Sequence, residues 1–321
     1  PAESVAVKLK DLSKPGSWLA MSKAILKETR SWKPDVVLSN SIEVPPTGVP
    51  TACIVHDLNF GQSRSTDFES RVKCRFYSAR AKRLGLIITV SSATAREMVE
   101  IGCPPKRIRV VRNGVNTGLF RPDDGVWSQR SPTHNADGDP IVHFVYPSRI
   151  LPGKGQHLAI DAIARLRKEY KKRAKLTLVG AAVDKVYLDQ LRIQAFGQPV
   201  EFALDVPEIA SYYQRSDVVL FPTVMREGFG FTAVDGMACG KPVVWADQAA
   251  IREATGGIGL SFPPEDVVAL REKMIWLMDN PDERMELGRA GLDYVMRHLT
   301  WERVWGEYET LLEGLAKKTL G

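Results

Sequence analysis

The sequence predicts an α/β protein built on parallel sheets, and three features support this fold class. Residues 217–246 contain an apolar run, a helical pattern and a second apolar run, which together form a strand–helix–strand unit. Further short apolar runs recur along 35–111 and 141–206, with helical segments between many of them. A polar stretch at 122–140 separates the two series. Strands that alternate with helices predict parallel pairing, so two α/β domains are expected.

Composition places the chain among globular proteins. Hydrophobic residues make up 44% of it and charged residues 26%, which excludes a disordered chain. At 321 residues it is long enough for two domains, each with its own core. It has no run of about 18 apolar residues and no visible signal peptide, so no membrane span is predicted. Its four cysteines lack Cys-x-x-Cys spacing, and we expect reduced thiols of a cytoplasmic protein.

Positive charge is concentrated in the N-terminal part of the chain. The densest basic run, Arg64 to Arg83, carries apolar residues at helical spacing between its cations. Such a helix fits peripheral contact with an anionic membrane, at about 1 kcal/mol for each cation near the surface. The alternative is an ordinary helix with a solvated basic face. No nucleic-acid recognition motif accompanies the charge, so a nucleic-acid partner is not predicted.

The N-terminal half predicts one helix followed by a series of strands. The helix covers residues 17–32, and a second helix at 93–101 can take either Ser91 or Ser92 as its N-cap. The predicted strands span 35–39, 51–56, 86–90 and 108–111. A domain of this class normally opens with a strand and a Gly-rich turn, and neither precedes the first helix. We therefore expect about 50 to 70 further residues upstream of Pro1.

The C-terminal half repeats the alternation. Its predicted strands span 141–146, 176–179, 200–206, 218–221 and 243–246, and its predicted helices span 156–170, 231–239, 264–297 (two helices) and 301–316. The polar linker sets the boundaries at 1–138 for the N-terminal domain, 139–300 for the C-terminal domain and 301–321 for a final helical segment. Asp137-Gly138-Asp139 has the spacing of a metal-binding pair, but its place in a polar linker predicts a loop. No metal site is predicted.

The loop Glu-Gly-Phe-Gly at 227–230 is the strongest candidate for a ligand site. It leaves the carboxyl edge of the predicted parallel sheet, where open α/β sheets bind ligands. The amides of residues 229–231 begin the next helix and favour an anion such as phosphate. The carboxylates of Glu227 and Asp235 suit hydroxyl groups, because a carboxylate accepts charge-assisted hydrogen bonds. The alternative is a surface glutamate and a helix aspartate near the positive end of a dipole.

Two cations lie on another strand-to-helix loop of the same predicted sheet. Arg149 and Lys154 follow strand 141–146 within Ser-Arg-Ile-Leu-Pro-Gly-Lys-Gly. Taken alone, two such cations can simply be solvated. Beside a helix start that favours phosphate, they fit a diphosphate instead, since Arg grips phosphate oxygens bidentately and Lys supplies a point charge.

The segment Glu227 to Asp235 resembles the Glu-x7-Glu signature of the retaining, nucleotide-sugar-dependent glycosyltransferases of the GT-B fold, family four. The family's usual sequence is similar at two further places, Gly-Phe-Gly inside this segment and Met-Ala-Cys-Gly-Lys-Pro-Val-Val at 237–244. The resemblance extends from about Asp35 to Leu312. The chain departs from the signature at its second acidic position, where Asp235 stands one methylene shorter than the family's glutamate.

The resemblance implies a fold of two Rossmann-like domains facing a cleft, with the N-terminal domain lacking its first strand or strands in this chain. It implies transfer of a sugar from a nucleoside-diphosphate donor with retention at the anomeric carbon. The acceptor would be a glycan, a lipid-linked sugar or a small molecule. Neither a metal nor a cofactor besides the donor substrate is implied. The last helix would pack back toward the N-terminal domain.

The resemblance also assigns the candidate site residues. His56-Asp57, at the carboxyl end of strand 51–56, looks like the family's active-site histidine, although a lone histidine at a strand end is more often structural or solvated. The candidate catalytic residues are His56, Arg149, Lys154 and Glu227. The candidate donor-binding residues are Ser91, Leu204, Asp205, Gly228, Phe229, Gly230, Phe231 and Asp235. For Ser91, helix capping alone is the alternative.

Two other classes compete with this interpretation. A nicotinamide-dependent dehydrogenase would need Gly-x-Gly-x-x-Gly after a first strand and an acidic residue about 20 positions further on. The chain contains no such pattern. A catalytically weak or inactive nucleotide-sugar-binding protein of the same fold is the second alternative, because of Asp235 and the absent N-terminal loop.

Overall fold

The computed structural model describes residues 17–58, 75–76, 78–123 and 133–317. The chain forms two units, the first from Pro1–Val111 with Trp305–Gly321 and the second from Arg112–Val304. The structural division therefore falls after Val111, earlier than the linker boundary that composition predicts. Residues after Val111 pack within the second unit: Val115 donates its amide to the carbonyl of Leu299 at 2.7 Å.

The first unit contains a four-stranded parallel sheet. Its strands, in the order β1-β2-β3-β4, are β1 (Val37–Ser39), β2 (Thr51–Val55), β3 (Leu86–Thr89) and β4 (Ile108–Val110). Its helices are α1 (Ser17–Trp32) and α2 (Ser92–Glu100), with helical residues also at 75–76 and 78–81. Cys53, Ile87 and Met98 are buried in its core. The predicted strands and helices are thus present, with ends shifted by one or two residues.

The second unit contains a six-stranded parallel sheet in the order β10-β9-β8-β5-β6-β7. The strands are β5 (Val142–Pro147), β6 (Ala174–Gly180), β7 (Val200–Leu204), β8 (Val218–Phe221), β9 (Val243–Ala246) and β10 (Leu260–Phe262). β5 pairs with β6 on one side and with β8 on the other. The chain therefore changes direction across the sheet at β5, and such a switch point opens a crevice at the carboxyl ends of the strands.

Helices flank the strands of the second unit. They are α3 (Gln156–Ala164), α4 (Lys168–Lys171), α5 (Lys185–Gln194), α6 (Ala210–Arg215), α7 (Phe231–Ala238), α8 (Ala249–Thr255), α9 (Val267–Asp279) and α10 (Pro281–His298); the last helix of the chain is α11 (Trp301–Lys317). The last helix begins in the second unit and continues from Trp305 as part of the first. There, Leu315 lies against Gly85, the residue before β3, so close that a Cβ on the glycine would be 2.9 Å from Leu315 Cδ1.

Two sequence predictions differ from the structure. The helix predicted over 156–170 ends at Ala164, because the chain turns at Arg165 and Arg167 is extended, with ψ of 159°. The turn buries Leu166 and returns the chain for β6. The elements α5, α6, α8 and β10 were not predicted; α6, α8 and β10 span only three to seven residues, although α5 carries apolar residues at helical spacing.

The polar linker and the basic run were also interpreted from sequence. Asp137 and Asp139 belong to a turn in which Asn135 Oδ1 accepts both of their amides, and Asp137 also binds Lys172 Nζ at 2.6 Å. Residues 64–74 of the predicted basic helix over Arg64–Arg83 lie outside the described residues. No described helix is both long and apolar enough to cross a bilayer.

Candidate active site

Two loops meet at the carboxyl edge of the second sheet. The first, residues 148–155, leaves β5 and contains the 3-10 turn Pro152–Lys154. The second, residues 222–230, leaves the neighbouring strand β8. The carbonyl of Gly153 accepts the amides of Val224 at 3.0 Å and Met225 at 2.7 Å. The two loops are therefore held together through backbone atoms.

Gly155 allows the loops to approach this closely. Its φ is +72°, and a Cβ at this position would lie 2.1 Å from the carbonyl oxygen of Pro222. A side chain would therefore force the two loops apart, quite apart from the strain of left-handed backbone. Because Lys154 directly precedes this glycine, the close approach places it beside the second loop.

Lys154 and Glu227 form an ion pair across the two loops. Lys154 Nζ lies 2.6 Å from Glu227 Oε1, and the two side chains are only 13% and 14% exposed. Thr223 also donates its hydroxyl to Glu227 Oε1, at 2.8 Å. The hydroxyl of Tyr146, at the end of β5, donates to the carbonyl of Lys154 at 2.5 Å. Burial raises the pKa of Tyr146 well above its usual value, and the charge of Glu227 raises it further.

Arg149 lies on the first loop with an exposed side chain. Its carbonyl accepts a hydrogen bond from Gln156 Nε2 at 2.8 Å, which fixes the backbone of this residue. Within the described part of the chain, its guanidinium has no hydrogen-bond or ion-pair partner. The charge is therefore free to meet an anion at the same edge as Lys154.

The second loop leads into α7, whose first amides point at the same edge. Gly230 precedes the helix with φ of +114°, a conformation that favours glycine. The amides of Gly228, Phe229, Gly230 and Phe231 donate no hydrogen bond to any described residue. Phe229 is buried and its ring contacts that of the half-exposed Phe231 at 5.3 Å between centroids. The aromatic pair anchors the loop while its donors stay available for an anion.

Asp235 lies one turn into α7 and is half-buried. Desolvation raises the pKa of its carboxyl from 3.8 to about 7. Its carboxylate has no hydrogen-bond or ion-pair partner among the described residues. Burial raises the pKa of the nearby Tyr213, and the charge of Asp235 raises it further. The carboxyl is thus poorly solvated and available to a ligand hydroxyl.

Leu204 and Asp205 lie where β7 ends. Leu204 is the last residue of the strand, and Asp205 adopts left-handed backbone with φ of +50°. The amide of Asp205 donates to the carbonyl of Gly180 at 3.4 Å, and Gly180 in turn lies against the backbone of Ser148 and Arg149. The backbone of residues 204–205 is therefore at the same edge as the first loop, two strands from β5.

His56 and Ser91 belong to the first unit. They follow the neighbouring parallel strands β2 and β3, so both lie at the carboxyl edge of that sheet. His56 is exposed, and partial desolvation lowers the pKa of its imidazole while the charge of Asp57 raises it. The hydroxyl of Ser91 is buried and accepts the amide of Thr94 at 3.2 Å, which is the N-cap interaction of α2. Capping is thus a role that Ser91 has in this structure, and its contact with a donor stays a prediction.

Sequence reasoning brought together Arg149, Lys154, Glu227 and the start of α7, and the structure gathers them at one edge. It missed Thr223, Gln156 and Gln248, whose side chains fix the two loops. A signal was present for Gln248, because it follows the buried strand β9 closely, at the edge where parallel strands present functional residues. The same signal was present for Thr223, which follows the buried strand β8 equally closely, whereas Gln156 is the first residue of α3 and has no such signal.

Comparison with known proteins bears on the fold and on the family of this chain. The fold matches the GT-B crystal structure of Anabaena Alr3699/HepE in complex with UDP, with a TM-score of 0.77 and 20% identity over 92% of this chain and 83% of that one. Sucrose-phosphate synthase from Thermosynechococcus elongatus matches with a TM-score of 0.77 and 20% identity over 93% of this chain and 78% of that one. The two parallel sheets are therefore those of a GT-B protein.

Family models match both halves of the chain. The model for glycosyltransferase family 4 matches residues 3–119, and the model for glycosyl transferases group 1 matches residues 142–280. The chain belongs to the group 1, family 4 type of glycosyltransferases.

Curated relatives carry names from the same group of proteins. D-inositol 3-phosphate glycosyltransferase of Acidothermus cellulolyticus is 30% identical over 243 residues, 70% of this chain and 53% of that protein. Glycogen synthase of Mycobacterium tuberculosis is 27% identical over 291 residues, 86% of this chain and 67% of that protein. The chain thus spans about half to two thirds of the length of these relatives.

Proposed function

We propose that this protein transfers a sugar from a nucleoside-diphosphate sugar to an acceptor. The observation that carries the proposal is the pairing of Lys154 with Glu227 at the switch point of the second sheet, beside the free amides of α7. A cation next to an anion suits a ligand that presents both phosphate oxygens and sugar hydroxyls. A nucleotide sugar has that combination.

The diphosphate of the donor is bound by Arg149, Lys154 and the amides of residues 229–231. Breaking the bond between the sugar and the phosphate leaves negative charge on the departing nucleoside diphosphate. Fixed cations and helix-start amides stabilise that charge without reorganising during the reaction. We therefore propose a reaction that needs no metal, since this chain's own groups supply the positive charge.

The remaining groups of the edge bind the other parts of the donor. Glu227 accepts hydrogen bonds from hydroxyls of the transferred sugar, and Asp235 accepts them from the ribose. The backbone of Leu204 and Asp205 contacts the base. β7 and β8 lie on opposite sides of β5 in the sheet, so the groups proposed for the base and for the sugar flank the two cations proposed for the diphosphate.

The proposed chemistry keeps the anomeric configuration. The bond from the anomeric carbon to the phosphate oxygen breaks while the acceptor oxygen bonds to the same face of that carbon. The proton of the acceptor hydroxyl passes to an oxygen of the departing diphosphate. Lys154 and Arg149 stabilise this leaving group, and Glu227 holds the sugar. His56 is proposed to position the sugar as well, which a His56→Ala variant tests by a fall in kcat.

Similar proteins support a nucleotide-sugar donor. The names of the relatives describe glycosyl transfer, and HepE crystal structures contain UDP and UDP-glucose. The proposed acceptor is a glycan, a lipid-linked sugar or a small molecule. For a lipid-linked acceptor, peripheral contact with an anionic membrane through the basic N-terminal part would bring the enzyme to its substrate.

The alternative is a protein that binds a nucleotide sugar without transferring it. Asp235 at the second acidic position of the signature favours this alternative, because its side chain is one methylene shorter and reaches less far toward the ribose. It predicts a nucleoside diphosphate that raises the Tm without any donor turnover.

The test uses purified protein and a panel of UDP-glucose, UDP-N-acetylglucosamine, GDP-mannose and ADP-glucose. Donor hydrolysis and transfer to simple glycoside acceptors are followed by mass spectrometry. We expect turnover of one donor, lost in Glu227→Ala and Lys154→Ala variants that remain folded. Wild-type turnover in either variant would remove the role assigned to that residue. Stabilisation by a nucleoside diphosphate without turnover of its sugar would favour the alternative.

A further inference from the structure

Gln248 uses its whole side-chain amide on the loop that carries Glu227. Its Oε1 accepts the amide of Glu227 at 3.0 Å, and its Nε2 donates to the carbonyls of Met225 at 3.0 Å and Thr223 at 3.2 Å. A glutamine amide has two donor hydrogens and one acceptor oxygen. Both hydrogens and the oxygen are therefore engaged by a single loop.

The position of Gln248 makes this use of its side chain notable. It is the N-cap residue of α8, where a polar side chain ordinarily accepts an amide of its own helix. Here the side chain makes no capping hydrogen bond and crosses to the loop after β8 instead. Gln248 thus contributes to the neighbouring loop rather than to the helix that it begins.

The loop needs such external partners, because residues 222–230 form neither helix nor strand. Five backbone groups of residues 223–227 are hydrogen-bonded from two directions. The carbonyl of Gly153 accepts the amides of Val224 and Met225. Gln248 accepts the amide of Glu227 and donates to the carbonyls of Met225 and Thr223. Backbone groups left unpaired in a partly buried loop would favour other conformations. Gln248 therefore selects the conformation in which Glu227 is observed.

The side-chain amide of Gln248 supports both the backbone of Glu227 and Thr223, the residue that donates to the Glu227 carboxylate. Gln248 binds the backbone amide of Glu227 and also the carbonyl of Thr223, whose hydroxyl donates to Glu227 Oε1 at 2.8 Å. We propose that Gln248 is a positioning residue, which sets the Glu227 carboxylate at the sugar of the donor. The inference rests on the proposed function, since it presumes that Glu227 binds the transferred sugar.

A positioning role makes a different prediction from general stabilisation of the fold. Glu227 is assigned to the sugar and not to the diphosphate. If the Glu227 carboxylate is less well held, the affinity for the nucleotide sugar and the rate of transfer fall, while the affinity for the nucleoside diphosphate stays within about twofold of the wild-type value. A misplacement of about 1 Å at a reacting centre lowers rates by about 100-fold. General loosening of the unit would weaken both ligands alike.

Two variants separate these outcomes. Gln248→Glu has nearly the same shape and keeps the acceptor but loses both donors, and Gln248→Ala removes all three hydrogen bonds. The ligands are the panel donor that the wild type turns over fastest and its nucleoside diphosphate. We expect kcat to fall about 10- to 100-fold in Gln248→Ala, with the larger change in affinity for the nucleotide sugar. Gln194→Ala is the control, because its Nε2 likewise donates two hydrogen bonds, to His157 O and Asp161 Oδ1, on α3.

A double-variant cycle shows whether Gln248 acts through Glu227. If it does, Gln248→Ala has little further effect on kcat in a Glu227→Ala background, because the group that it positions is gone. An undiminished effect in that background, or equal loss of affinity for both ligands, would overturn the inference. Failure of the wild type to bind any nucleotide sugar of the panel would instead reject the proposed function, and the inference with it.

Discussion

The ammonium of Lys154 lies 2.6 Å from the carboxylate of Glu227, although 73 residues separate them in the chain. Both side chains are largely withdrawn from solvent, so each charge depends on the other for its stability in the folded protein. Lys154→Ala should lower the free energy of unfolding by about 1–3 kcal/mol, because it leaves the Glu227 carboxylate without its cation. Urea unfolding measures this loss.

The pair also allows a check on its own assignment. Combining Lys154→Met with Glu227→Gln should cost less stability than the sum of the two single changes, since no uncompensated charge remains. Additive losses in this cycle would mean that the two groups do not interact in solution. In the assay, Lys154→Ala should lower kcat by about 100- to 1000-fold, the scale for removing one stabilising group from a transition state.

Gly155 offers a test of how the two loops meet. In Gly155→Ala, the new Cβ meets Pro222 O at 2.1 Å, in addition to the strain of a left-handed alanine. We expect a loss of about 2–4 kcal/mol in stability together with loss of donor binding. Gly197→Ala is a matched control, because Gly197 has a similar φ of +71° and open space around its Cβ position. This control should lose only about 1 kcal/mol, and equal losses in the two variants would show that the loops do not pass this closely.

Arg149 should separate binding from stability. Its guanidinium is exposed and has no partner within the described residues, so Arg149→Ala should change stability by less than about 0.5 kcal/mol. The affinity for a nucleoside diphosphate should nevertheless fall about tenfold, because a charge-assisted contact with phosphate is lost. Titration calorimetry measures this change. Arg167→Ala, which removes an arginine whose side chain is 83% exposed, is the control and should leave the affinity unchanged.

Because of Asp235, we expect the free energy of unfolding to decrease as pH rises. The pKa of its carboxyl is about 7 in the folded protein and 3.8 as its ordinary value. Between these values the folded state holds a proton that the unfolded state has released, so the free energy of unfolding falls with rising pH. The fall begins near pH 4, ends above pH 7 and is on the order of a few kcal/mol.

The measurement compares urea unfolding at pH 5 and pH 8. Asp235→Asn should show a smaller decrease between these two values than the wild type, because an amide does not ionise. Asp189→Asn changes an aspartate whose side chain is 69% exposed and serves as the control. An unchanged pH dependence in Asp235→Asn would exclude this carboxyl as the source.

Local patterns determined the parts of this protein that depend on neighbours in the sequence. Apolar runs predicted β8 and β9 with their observed ends, and glycine and proline marked the end of α7 near Gly240. The signature from Glu227 to Asp235 indicated the family, and matches over both halves of the chain confirmed it. These features are encoded within short segments, where the period of apolar side chains and the freedom of glycine decide the structure.

The tertiary structure alone decided which side chains meet. Lys154, Thr223, Glu227 and Gln248 come from segments up to 94 positions apart, and nothing in their local sequence states that they share hydrogen bonds. They meet because β5, β8 and β9 are consecutive neighbours in the sheet, so their carboxyl ends open onto one edge. The order of strands is set by packing over the whole unit, and it is this order that turns separate polar residues into one candidate site.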